Sequence, residues 1–263
     1  MLSVFYFLIC FAATTLGAIS GIGGGVIIKP VMDAISGMSV STISFLSGCT
    51  VLAMSVVSVC RSLGGEAKID PKQGTLLAVG GAAGGVAGKW IFDAVKLSFG
   101  NDGLVGTAQS VLMVVLTLGV LLYVLNKARI PTLHVTNPVA DLMIGLGLGL
   151  MSSFLGIGGG PINLAVLYFF FSMDTKTAAL NSLYIILFSQ IASFFTTLIQ
   201  GKVPSFDLSI LVVMAAGGIL GGFFGRAFSR NMSAHQVDIL FRWILILIVV
   251  ISCYNLYRYA SML

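Results

Sequence analysis

The chain has 263 residues, 57% of them hydrophobic and only 9% charged, where soluble domains carry roughly 25% charged residues. A water-soluble core is excluded, and a polytopic membrane protein with no soluble module is expected. The net charge of +5 is spread over short loops, which fits membrane orientation and not a nucleic-acid partner.

In chain order, apolar segments fall at 2–20, 26–37, 40–60, 73–95, 104–126, 138–155, 161–172, 177–199, 208–228 and 237–257. Several approach the ~20 residues that span a bilayer as a helix. The expected class is all-α, one transmembrane domain over 1–263. The first segment lacks the positive n-region of a signal peptide, so it is expected to remain in the protein. Gly, Pro and charge mark the breaks, as in Arg61-Ser62-Leu63-Gly64-Gly65-Glu66 and Gly201-Lys202-Val203-Pro204. The stretch 127–137 reads as the one linker.

Two breaks differ from these. Gly21-Ile22-Gly23-Gly24-Gly25 and Gly156-Ile157-Gly158-Gly159-Gly160 each interrupt an apolar run, and each is followed by residues that restart a helix, Val26-Ile27-Ile28 and Pro161-Ile162-Asn163. Glycine clusters cost helix stability, and free amides cannot stay unsatisfied in lipid. The halves also match. An offset of 135 superposes the breaks and sets Ser47 on Ser182, and an offset of 137 sets Asp70 on Asp207 and Lys89 on Arg226. Repeat 1 is then 1–126 and repeat 2 is 138–263, each a glycine-broken segment plus three long helices, the internal-repeat signature of secondary transporters.

Charge bears on repeat orientation. If each broken segment crosses once, Arg61, Lys68, Lys72, Lys127, Arg129, Lys202 and Arg258 lie inside, against Lys89, Lys96, Lys176, Arg226, Arg230 and Arg242 outside, seven to six. If each is a hairpin, the inside set is Arg61, Lys68, Lys72, Lys127, Arg129, Lys176, Arg226, Arg230 and Arg242, against Lys89, Lys96, Lys202 and Arg258, nine to four. The positive-inside rule favours hairpins and inverted repeats. Against it, segment 2–20 is long enough to cross by itself.

A helix restarting after a glycine loop offers unpaired N–H groups and the positive end of its dipole, which suits an anion. The plainer role of glycine is tight helix packing. Packing is expected for Gly80, Gly84 and Gly88 and for Gly217, Gly221 and Gly225; ligand binding is expected for the two breaks. The candidate substrate-binding residues are Gly23, Gly24, Gly25, Val26, Lys29, Ser47, Gly158, Gly159, Gly160, Asn163, Asn181 and Ser182. Lys29 either lends charge to this site or snorkels to a headgroup. Asp70 and Asp207 are read as helix N-caps, and Lys89 and Arg226 as closing the same helices. All nine acids fall in loops or near segment ends, so no deep carboxylate relay is evident.

The four cysteines, Cys10, Cys49, Cys60 and Cys253, have no paired short spacing, and there are only two histidines, His134 and His235. No metal site or cofactor is expected, and the thiols read as small buried hydrophobes. An enzyme would need a nucleophilic set, a metal cluster or a nucleotide loop, and none has convincing spacing.

The doubled glycine break, the Ser47 and Ser182 helices, and Asp70 and Asp207 ahead of glycine ladders together resemble the sulfite exporter TauE/SafE family over nearly the whole chain. Where relatives often carry Thr-Ser-Leu, this chain reads Leu46-Ser47-Gly48 and Asn181-Ser182-Leu183. The resemblance implies a multi-pass transporter of the cytoplasmic membrane for sulfite, organosulfonates or related small anions. The expected function is thus a secondary exporter of a small anion, with an anion channel or an ion-coupled uptake permease as alternatives. An inside-negative potential favours anion exit by about 2.3 kcal/mol per charge per 100 mV, so export needs no coupling ion. Expected partners are the anionic substrate and the lipid bilayer; a homo-oligomer is compatible with the sequence.

Overall fold

A computed structural model describes residues 2–62, 69–127 and 129–261. Leu63, Gly64, Gly65, Glu66 and Lys68, used above for a break and for the charge count, lie outside the described residues. Among the described residues the regular elements are ten α-helices: α1 (Leu2–Ser20), α2 (Gly25–Ile35), α3 (Val40–Ser62), α4 (Pro71–Phe99), α5 (Asp102–Asn126), α6 (Pro138–Leu155), α7 (Pro161–Phe171), α8 (Thr175–Ile199), α9 (Leu208–Asn231) and α10 (Ala234–Ala260). Eight are long and apolar enough to cross a membrane. At 11 residues each, α2 and α7 span only about 16 Å at 1.5 Å per residue, roughly half the hydrocarbon core. The protein is an all-α polytopic membrane protein.

Caps set the starts of the long helices. Asp70 accepts from the amides of Lys72 (2.9 Å) and Gln73 (2.8 Å) ahead of α4, and Asp207 from that of Ser209 (2.8 Å) ahead of α9. Both are N-caps, as expected. Burial pushes the Asp174 carboxyl up, but hydrogen bonds from Thr177 and Lys176 hold it below the usual carboxylate range; Ser209 does the same for Asp207. The other ends of these helices differ from expectation. Helix α4 continues to Phe99 and stops at Gly100, which takes the left-handed conformation at φ 62°. Lys89 therefore sits inside α4 and does not close it. Arg226 likewise lies more than a turn before the end of α9.

Glycine ladders hold the core together. A methyl on Gly80, Gly84 or Gly88 would run into the backbone of Leu142, Leu146 or Leu150 on α6. One on Gly217, Gly221 or Gly225 would meet Phe7, Phe11 or Thr15 on α1. The matched increments make α4 parallel to α6 and α9 parallel to α1. The opposite faces repeat the device. Gly81 and Gly85 meet Ile185 and Ser189 of α8, and Gly218 and Gly222 meet Thr50 and Met54 of α3. These are the packing roles that small residues play between membrane helices.

The outside is apolar. Helix α5 exposes Val111, Val115, Leu118, Leu122 and Leu125, spaced three or four apart, a stripe that water would penalise and lipid accepts. The thiols depart from expectation: Cys10 is buried and Cys49 half-buried, but Cys60 and Cys253 are exposed. Part of the linker pairs with the end of α7. Leu133 and Val135 donate to the carbonyls of Phe169 (2.7 Å) and Phe170 (3.0 Å), using carbonyls that the end of α7 would otherwise leave orphaned.

Candidate functional site

The two glycine breaks meet each other. The amide of Gly160 donates to the carbonyl of Ile22 at 3.0 Å. A side chain on Gly25 would strike the Ile157 carbonyl, and one on Gly23 would lie 3.1 Å from that of Gly158. Only glycine allows this approach, and Gly23, Gly158, Gly159 and Gly160 also have positive φ, from 70° to 105°. Among the described residues, no turn hydrogen bond engages the amides of Gly23, Gly24, Gly25, Val26, Gly158 or Gly159. Buried amides without partners are rare in folded proteins.

Helices α3 and α8 flank the seam. Val51 packs against Gly23, Gly25 and Gly158, and Ile186, 135 positions later, packs against Gly23 and Gly159. Ser47 and Ser182 lie one turn before these two side chains, on the same helix faces. Both serines are fully buried, and among the described residues their hydroxyls have no partner. Asn163 is fully buried beside Gly159, with both amide atoms unpartnered among the described residues. Asn181 donates to the Thr177 carbonyl at 2.9 Å while its own oxygen stays unpartnered among the described residues.

Lys29 stands apart from this group. Its ammonium is 2.8 Å from Asp33 on the same helix, with the two side chains only 4% and 7% exposed. Neither the free charge nor the snorkel describes it. Tyr259 donates to Asp33 at 3.2 Å, Arg258 donates to the Asp33 carbonyl, and Asn255 donates to that of Pro30 at 2.8 Å. The pair borders a cavity of about 260 Å³ between α2, α5 and α10, with Gln109 and Ser252 on its wall. Sequence reading treated Asp33 as a segment-end acid, although its spacing of four from Lys29 on one helix was the available signal.

A second, open cavity of about 440 Å³ adjoins the seam where α3, α4 and α8 meet the end of α6. Gly156, the first glycine of the second break, is on its wall with Ser44, Gly48, Lys89, Ser153, Gln190, Ser193 and Thr197. Gln190 donates to Ser152 at 3.2 Å. Of the predicted residues, the glycines meet at the seam with Asn163 beside them and the two serines one turn away, but none of them is on the wall of this cavity, while Lys29 lines the other. Lys89, Ser44 and Ser153, all on this wall, were not among the predicted residues. For Lys89 the signal was Asp93 four positions on, now 3.2 Å away.

Comparison with known proteins agrees with this architecture. The chain is 23% identical over 261 residues to the probable membrane transporter protein YunE of Bacillus subtilis (strain 168), covering 90% of this chain and 92% of that protein. No solved structure matches. The model of the family described as sulfite exporter TauE/SafE matches residues 6–256. The chain therefore belongs to the sulfite exporter TauE/SafE family, whose members are membrane transporters and not enzymes.

Proposed function

We propose that the protein exports a small oxyanion, sulfite or an organosulfonate, across the cytoplasmic membrane by alternating access between two inverted repeats. The observation that carries this reading is the meeting of the two glycine breaks, with unengaged amides and the unpartnered Asn163, Ser47 and Ser182 around them. Donors without partners suit an acceptor-rich ligand, and an anion takes hydrogen bonds most strongly. Helix directions support inversion. Helices α1, α3 and α9 run parallel, as do α4, α6 and α8. Since α3 and α4 are successive crossings, α1 and α6 then start on opposite sides. Gly24 packs back against Thr14, as a hairpin requires.

Purified protein in liposomes should show saturable sulfite efflux with counterflow, which separates a carrier from a channel. Asn163→Leu should abolish that transport and leave thermal stability unchanged or higher, because it removes two buried polar atoms without partners. Normal sulfite flux through this variant would remove Asn163 and the seam from the site. A flux that never saturates would favour the channel, and flux that requires an imposed ion gradient would favour the ion-coupled permease.

A further inference from the structure

The glycine seam carries no formal charge, but the larger cavity beside it does. Lys89 reaches that cavity from α4, among hydroxyls from three other segments: Ser44, Ser153 and Ser193. The hydroxyls of Ser44 and Ser153 are buried and, among the described residues, have no hydrogen-bond partner. Ser153 itself is only 7% exposed. The residues of this wall thus include an ammonium and two serines whose hydroxyls are idle.

Lys89 is held and not free. Its ammonium lies 3.2 Å from one oxygen of Asp93, and the other oxygen of Asp93 lies 3.6 Å from Lys202. The Lys89 and Asp93 side chains are 16% and 11% exposed, and Lys202 is 48% exposed. One carboxylate therefore serves two ammonium groups. Lys96, also on α4, donates to Ser41 at 2.6 Å and, among the described residues, pairs with no acid. The cluster of Lys89, Lys96 and Lys202 with Asp93 keeps an excess of positive charge. Such an excess raises the local concentration of an anion. The Lys29–Asp33 pair, by contrast, is neutral.

We propose that this cavity is an anion-binding vestibule in which Lys89 is the charged contact to a small oxyanion and Asp93 is a resident competitor. An arriving oxyanion takes Lys89 from Asp93, which stays paired with Lys202, and accepts from Ser44 and Ser153. The inference rests on the transporter reading above. It adds the charged residue that the seam lacks, and a carboxylate that keeps the site from holding its ligand too tightly.

The test uses the full chain purified in detergent, titrated with sodium sulfite, methanesulfonate or thiosulfate against sodium chloride at equal ionic strength. Lys89→Met should weaken binding of the preferred anion about tenfold or more, the cost expected for losing a charged hydrogen bond, and Lys89→Arg should recover part of it. Asp93→Asn should tighten binding several-fold. A merely structural ion pair would not move affinity in opposite directions for the two variants. Should Lys89→Met fail to fold, Ser153→Ala reads the same cavity through a smaller loss. Unchanged affinity in Lys89→Arg, Asp93→Asn and Ser153→Ala, with sulfite still bound and transported, would overturn the vestibule and leave the exporter standing. If the unmodified protein binds none of the three anions, both readings fall.

Discussion

Lys29 shows how a single side chain changes meaning with its neighbour. An ammonium in an apolar helix is costly alone, and Asp33 one turn away turns the cost into a buried pair at 2.8 Å, with Tyr259 donating to the Asp33 carboxylate and Arg258 to the Asp33 backbone carbonyl. Removing one partner of such a pair leaves a buried charge, a loss of about 3–5 kcal/mol. Lys29→Met and Asp33→Asn should each lower the unfolding temperature markedly, while the double variant Lys29→Met with Asp33→Leu should recover most of it. Thermal unfolding in detergent measures this. Single variants as stable as the parent would show that the pair contributes little. Sequence alone placed both residues correctly in the chain, but it did not pair them, because α2 was read for its amides and not for its faces.

At the scale of the element, some helix glycines touch a neighbouring backbone and others touch nothing. Gly84 on α4 faces the carbonyl of Leu146, whereas Gly119 on α5 has open space where a side chain would stand. Gly84→Val should push α4 off α6 and cost at least about 1–3 kcal/mol, as overpacking does. Gly119→Ala should be neutral or stabilising by up to about 1 kcal/mol, since alanine is the better helix former. Chemical or thermal unfolding of the two variants checks the contrast; equal effects would mean that the α4–α6 contact is not a close-packed seam. The ladders were legible because glycines at every fourth position have one compact explanation between helices. The far end of α4 was not legible. Lys89, Asp93 and Lys96 look like a helix terminus by charge, but the helix passes through them to Gly100.

For the molecule as a whole, orientation is the measurable consequence of the inverted reading. Lys127 and Arg129 should lie in the cytoplasm and Lys202 outside, by the excess of basic residues on the first side. A single cysteine at 202, in a protein freed of its own four, should react with a membrane-impermeant thiol reagent in intact cells. One at 129 should react only after lysis. The reverse pattern would put the cavity of Lys89 on the cytoplasmic side and would require that the anion be captured there.

The membrane class, the ten segments, the caps at Asp70 and Asp207 and the two glycine breaks were determined by sequence alone. Each follows from local physics: apolar length against bilayer thickness, carboxylates before helix amides, and glycine where a helix cannot continue. Only the tertiary structure decided that the breaks close on one another through Gly160 and Ile22, and that Lys89 opens onto a cavity shared with Ser44 and Ser153. Those residues lie in different segments of the chain. No periodicity within one segment records which face of another it will meet, because that is fixed by how all the helices pack at once.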